Sequence, residues 1–281
     1  MTMAALSDLN FETGIAALTH GQLALWGFRS GDRGTHTSRT IMLDELSHLL
    51  DAVPGDAVRE DYAEAVMDHN CLGKRTAATR KLSLQRLTEL YALDPQVILF
   101  RVLRDLWGRN EKSRPLLALL LALARDPLLR ATATAVVRTP HGNEFARQSM
   151  KDALTDAIGD RLNEATLDKV VRNASSSWTQ SGHFRGRGRK TRQQVEPTPA
   201  ATMFALLLGF AVGRRGRLLF ETPWAAVLDT TPDDLIDVAV DAKRLGLLDL
   251  KQSGSMIDVS FPALFTDKER ELIHGAHRQV G

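Results

Sequence analysis

Three prolines cut a long apolar stretch into helix-sized pieces, and that punctuation constrains the fold more than any other feature of the chain. From Ser83 to Leu106 apolar side chains recur at Leu84, Leu87, Leu90 and Tyr91, then at Val97, Ile98, Leu99, Val102, Leu103 and Leu106. Spacings of three and four are those of one helical face. Pro95 interrupts the pattern where a new helix can open at its first turn, and Pro115 and Pro127 do the same further on. The segments 115–125 and 127–138 are therefore predicted as two packed helices, the first almost wholly buried. Ala, Leu and Arg dominate and β-branched runs are short, so the fold class is mainly α. No fixed-period repeat points to a solenoid.

The 281 residues, 43% of them apolar, suffice for a sizeable core. Composition shifts predict three segments: a helical bundle over 1–140, a second unit over 141–198, and a third over 199–281. The single cysteine, Cys71, excludes an internal disulfide framework and fits a reducing, cytoplasmic setting. The opening ten residues carry Asp8 and no basic cluster ahead of an apolar core, so no signal peptide is read there. The longest apolar run, 116–124, is less than half of the roughly 20 residues a membrane helix needs, so no membrane partner is expected.

The middle segment opens with the loop Thr139-Pro140-His141-Gly142, and helical spacing resumes at Phe145, Met150, Leu154 and Ile158. A turn at Gly159-Asp160 precedes a helix from about Thr166 to Gln180, and then comes a Gly- and Arg-rich stretch closed by Pro197 and Pro199. Helix, turn, helix and Gly-hinged basic hairpin is the order of a winged helix-turn-helix. In the last segment a very apolar helix after Pro199 leads to a strand candidate at Arg217–Glu221. A helix over Pro232–Arg244 and a hairpin turning at Gln252-Ser253-Gly254 follow. This outline is again winged-helix-like, but residues 200–281 net −2, which suits packing or protein contact better than DNA.

Charge is distributed unevenly. Residues 169–217 hold ten basic side chains and one acid, Glu196, for a net of +9; the whole chain carries +2, so the remainder carries −7. A local positive field in an acidic molecule steers polyanions. On the helix before the hairpin, Leu167, Val170, Val171, Ala174 and Trp178 form an apolar stripe, while Lys169, Arg172, Asn173, Ser176 and Gln180 share the other side. Arg, Asn, Gln and Ser are the types that hydrogen-bond base edges. In the hairpin, Arg185, Arg187, Arg189, Lys190 and Arg192 alternate in part with Gly186 and Gly188, as phosphate contacts do. These ten residues are the candidate DNA-binding set. The competing reading is an ordinary amphipathic surface helix with a solvated basic loop.

A second set of candidate phosphate contacts is Lys74, Arg75, Thr76, Thr79, Arg80 and Lys81, where Thr76 can cap a helix whose N-terminal N–H groups attract anions. A cap flanked by solvated charges is the simpler reading on spacing alone.

No catalytic constellation emerges. The eight histidines, His274 and His277 among them, show no metal-ligand spacing, there is no phosphate-binding GxxxxGK[ST] loop, and GFRSGDRG at 27–34 reads as a plain loop. Neither enzymatic activity, nor a cofactor, nor a metal is expected.

Two of these stretches resemble the BrxA family of BREX phage-defence systems. One is Arg75-Thr76-Ala77-Ala78-Thr79-Arg80-Lys81, followed by Leu87 and Leu90; it looks like the family's Arg-Thr segment opening a helix. The other runs from Leu162 and Asn163 through Thr166 and Lys169 to Arg172, and is similar to the family's Leu-x-x-x-Thr segment. The likeness spans roughly residues 60–185; the Gly/Arg wing and the long segment after Pro199 depart from it and mark a divergent member. The resemblance implies a NusB-like helical domain, a DNA-binding winged-helix domain and a place beside other subunits of a defence complex. The resulting expectation is low-specificity binding of double-stranded DNA. Alternatives are an adaptor docking other proteins and an RNA-binding helical protein.

Overall fold

The computed structural model describes residues 10–254 and 256–277, with side chains to 273 and Asp160 as backbone only; the opening nine residues and the His274 and His277 side chains lie outside the described set. Helices α1 (Phe11–Ala16), α2 (His20–Trp26), α3 (Leu43–Ala52), α4 (Arg59–Met67), α5 (Ala77–Tyr91), α6 (Ile98–Trp107), α7 (Arg114–Arg125) and α8 (Pro127–Arg138) come first. Next are α9 (Arg147–Ile158), α10 (Glu164–Gln180) and a hairpin of β1 (Phe184–Arg185) and β2 (Thr191–Arg192). The chain ends with α11 (Pro199–Ala211), α12 (Pro223–Ala226), α13 (Pro232–Arg244), a hairpin of β3 (Asp249–Ser253) and β4 (Met256–Ser260), and α14 (Asp267–His277). The protein is mainly helical.

The proline punctuation works through capping. Asp126 ends α7 and caps α8, its carboxylate accepting the Leu128 and Leu129 N–H groups at 3.0 and 3.1 Å, and Pro127 occupies the first position of α8, where no N–H is required. Pro95 behaves differently from expectation. Asp94 accepts the Gln96 N–H at 2.9 Å and its carbonyl takes Val97 N–H, so Pro95 sits in a turn and α6 opens only at Ile98.

Two further expectations are corrected in the last segment. Arg217–Glu221 lies in a 3₁₀ turn and not a strand, with the adjacent Leu219 and Phe220 both buried beside α11 and α12. The second hairpin pairs Gln252 with Ile257 and Ser253 with Met256, so both Gln252 and Ser253 belong to β3 and the turn begins at Gly254.

Helix α7 is the centre of the molecule, with every residue from Leu116 to Ala124 buried. It packs on α5, α6, α8, α10 and α11. Helix α11 is buried almost all round because it is enclosed by α7, α12 and α13. The apolar core is continuous from Phe11 to Ile273, so the segments meeting near residues 140 and 199 share one interior. Long-range pins reinforce this. The Phe11 ring stands edge-on to Trp224, centroids 4.6 Å apart, and Arg101 on α6 makes a two-pronged pair with Glu269 on α14, both contacts 2.8 Å.

Candidate nucleic-acid interface

Helix α10 is placed by contacts on three of its sides. Its first turn is capped by Asn163, which accepts Thr166 N–H at 2.9 Å. Lys151 on α9 reaches Glu164 and Asp168 at 2.5 and 2.9 Å, and Arg147 reaches Asp168 at 3.2 Å, setting α9 beside it. The inner face carries Val170, Val171, Ala174, Ser177 and Trp178, all buried, and the Trp178 indole donates to Thr132 of α8 at 2.8 Å. Leu167, expected in this stripe, is only half-buried.

The outer face is not uniformly open. The segment 32–43 runs along one flank of α10 and is hydrogen-bonded to it throughout. Asn173 donates to the His36 carbonyl at 2.8 Å, while Gln180 accepts Leu43 N–H and donates to Thr40 Oγ1, both at 3.1 Å. Asn173 and Gln180, read from the sequence as base-contacting amides, therefore have their polar groups engaged by the chain itself. One N–H of each amide and one lone pair of the Gln180 carbonyl are held toward the 32–43 segment, and away from a groove on the other side of the helix.

Beneath this seam lies a buried polar relay. His36 Nδ1 is 2.8 Å from Asp126 Oδ2, His36 Nε2 is 2.8 Å from Ser177 Oγ, and the same hydroxyl oxygen accepts Ile41 N–H at 2.9 Å. Burial alone would raise the Asp126 carboxyl; the His36 charge and hydrogen bonds from its ring and from the Leu129 and His36 N–H groups outweigh it and hold the carboxyl below its usual range. The connectivity is that of an acid, a base and a nucleophile, but exposures of 0% for His36 and Ser177 and 1% for Asp126 keep any substrate from the hydroxyl. These groups fasten the 32–43 segment to the core. Gly34 is required there, since a Cβ would overlap the Asp126 carboxylate. In the linear sequence Gly34 is an ordinary loop glycine and the relay is invisible, because its members are 51 to 141 residues apart; only the Asp-Pro helix cap at Asp126 gives a local sign of one of them.

On the opposite flank stands the hairpin. Phe184 pairs with Arg192 and Arg185 with Thr191. The 142–145 stretch adds a third edge, with Gly142 and Phe145 N–H groups donating to the Arg192 and Lys190 carbonyls at 2.8 and 2.7 Å. The Phe145 and Phe184 rings pack beneath, centroids 4.7 Å apart. Gly186, at φ 107°, makes the turn, because a Cβ would strike the Arg189 carbonyl oxygen.

Arg192 is not a phosphate contact. Its guanidinium forms a two-pronged pair with Asp229, one contact being 2.8 Å, and Nε donates to the Val136 carbonyl at 3.0 Å. Both side chains are buried, at 0% and 2% exposure, because β2 pairs against β1 with Arg192 facing inward. His183 completes this centre, with Nε2 donating to the Val227 carbonyl and Nδ1 facing Ser181 Oγ, both at 2.8 Å. Burial pushes its imidazole down to about 4, with Arg192 acting in the same direction and Asp229 opposing.

Between 144–147, α10 and the hairpin tip lies a cleft of about 520 Å³, bordered by Arg147, Arg172, Ser176, Arg187, Arg189 and Lys190. Among the described residues Lys169, Arg172, Arg185 and Arg187 make no ion pair. Arg189 stands 3.8 Å from Glu144, but both are exposed, and such surface pairs contribute about 0–1 kcal/mol. Lys190 Nζ donates to the Gly186 carbonyl at 2.7 Å and is half-buried. Thus Arg172, Ser176, Arg187, Arg189 and Lys190 come together at one cleft, with Lys169 and Arg185 exposed nearby in sequence. Arg147, absent from the sequence-based set, joins them from the neighbouring helix.

The second basic cluster divides. Thr76 accepts Thr79 N–H at 3.2 Å, and the Thr79 hydroxyl oxygen accepts Thr76 N–H, so these side chains serve as a helix cap. Lys74 is tied to Glu45 at 3.0 Å and is not a free cation. Arg75 and Lys81 are exposed and Arg80 is half-buried.

Among the described residues no helix is long and apolar enough to cross a membrane. No protein-family model matches the chain, and no curated protein matches it.

Proposed function

We propose that the chain is a non-enzymatic, duplex-DNA-binding component of a BREX-like phage-defence complex, working beside other subunits. In this reading the N-terminal helices are the NusB-like part, and α9, α10 and the β1–β2 hairpin, within residues 141–198, form a winged helix-turn-helix. What carries the DNA reading is the cleft at which Arg172, Arg187, Arg189 and Lys190 converge, with Glu144 the one acid in its lining. Four guanidinium or ammonium groups at one edge match a phosphate backbone in charge and in reach, while Arg147 beside them is paired with Asp168. The BREX part of the proposal rests on the two short sequence motifs.

Low sequence specificity follows from the amides. With Asn173 and Gln180 bonded to the 32–43 segment, the open side of α10 keeps Lys169, Arg172 and Ser176: two cations that can pair with guanine and one hydroxyl that does not discriminate. The test is a salt series of duplex binding with competing single-stranded RNA. With Arg192 removed from the expected set, four hairpin cations remain, and their contribution to the log–log salt slope is about −3.6. Replacing Arg185, Arg187, Arg189 and Lys190 with Ala should remove that part of the slope. Salt-independent binding, or an RNA preference, overturns the proposal.

A further inference from the structure

The 32–43 segment carries two basic side chains of its own. Arg33 is exposed and makes no ion pair among the described residues; Arg39 is half-exposed, and Nη1 donates only to the Ser38 carbonyl, at 3.0 Å. Asp32, the one acid between Gly27 and Met42, is neutralised by Arg161 at 2.7 Å. The segment is held along α10 from end to end: Asp32 meets Arg161 before the helix starts, His36 meets Asn173 and Ser177, and Thr40 and Leu43 meet Gln180.

Helical geometry fixes where this bank lies. Val171 and Ser175, four apart, border the hairpin cleft, whereas Asn173, Ser177 and Gln180, also at spacings of four and three, face the 32–43 segment. Those two sets point to opposite flanks of α10. A strip of exposed Lys169 and Arg172 with half-buried Ser176 runs between them. The helix between the two flanks is roughly 10–12 Å across, close to the width of about 12 Å of a B-DNA major groove.

We propose that Arg33 and Arg39 form the second phosphate-contacting bank of this surface, meeting one strand of a duplex while Arg187, Arg189 and Lys190 meet the other and the Lys169–Ser176 strip faces the groove between. This rests on the DNA-binding reading above and extends it to the N-terminal part of the chain, which the linear sequence does not assign to the site. The segment has to be fastened as it is, through the buried His36 relay, because a mobile bank would lose its alignment with α10.

The experiment measures binding of a short random-sequence duplex to the full chain across about 50–200 mM salt. Three double variants are compared with the unaltered protein: Arg33→Ala with Arg39→Ala, Arg187→Ala with Arg189→Ala, and a charge-matched control, Arg109→Ala with Lys268→Ala. The first variant is expected to flatten the log–log slope by about 1.8, two contacts at about 0.9 each. The hairpin variant is expected to flatten it equally, and the control not at all. Arg33→Lys with Arg39→Lys restores the slope, because the charge is kept. If the hairpin variant flattens the slope and the Arg33/Arg39 variant does not, this inference fails while the DNA reading stands. It fails in the same way if the control flattens the slope as much as the Arg33/Arg39 variant. If the unaltered protein does not bind the duplex at low salt, the DNA reading itself fails and this inference with it.

Discussion

Arg192 and Asp229 form a buried, two-pronged ion pair that joins the β1–β2 hairpin to the loop between α12 and α13. The arginine that sequence context assigns to phosphate is therefore the anchor of the hairpin that displays the others. Asp229 sits at φ 56°, a left-handed conformation that Asp tolerates, and also accepts Val195 N–H at 3.2 Å. The hairpin is thus aimed from the last third of the chain.

Breaking this pair should be costly. Arg192→Ala leaves a buried carboxylate without its partner, and a destabilisation of about 3–5 kcal/mol is expected in urea unfolding. Arg192→Met combined with Asp229→Leu should cost much less than Arg192→Ala alone, since neither charge is then stranded. Equal losses for the two proteins would show that the pair does not act as a unit.

The amide contacts on α10 predict a separation of stability from binding. Asn173→Ala and Gln180→Ala should each destabilise the fold by about 1 kcal/mol through lost hydrogen bonds. Base preference should stay unchanged in the folded protein. A change in base preference on either substitution, read by binding to a randomised duplex pool, would return these residues to the groove.

His183 makes stability depend on pH in the mildly acidic range. Its imidazole is held down to about 4 in the folded protein against 6.5 unperturbed, so the unfolded chain binds the proton more readily. Its contribution is complete above the unfolded value and is lost as pH falls from 6.5 toward about 4, in total on the order of 3 kcal/mol. Urea unfolding at about pH 7 and about pH 5 should show the loss, and His183→Gln should flatten the difference between the two.

Asp126 acts in a lower window. Its carboxyl is held below the usual range by His36 and by backbone N–H groups, so its contribution is present above the unfolded carboxylate value and is lost as pH falls through the depressed one. Ser177→Ala, which leaves the buried Ile41 N–H without its acceptor, should cost about 1–3 kcal/mol at neutral pH. Amide exchange should quicken across residues 34–43 in that variant. If exchange rises uniformly over the chain, the relay has no special hold on this segment.

The elements themselves are written locally. Pro115, Asp126 and Pro127 delimit α7 and α8 because capping and proline geometry act within a turn, and apolar spacing predicts a buried α7 because one face and then all faces of that helix lack polar groups. The Gly-hinged hairpin and the helix before it are also legible, since positive φ at Gly186 and the stripe from Val170 to Trp178 are short-range features. Which polar groups remain for a ligand is not. Asn173, Gln180 and Arg192 look like contact residues in any linear reading, and only packing brings them the His36 carbonyl, the Leu43 N–H and the Asp229 carboxylate from 37 to 137 positions away. A side chain's hydrogen-bonding capacity is a property of the residue, but whether the chain has already used it depends on long-range neighbours, and those exist only once the tertiary structure has formed.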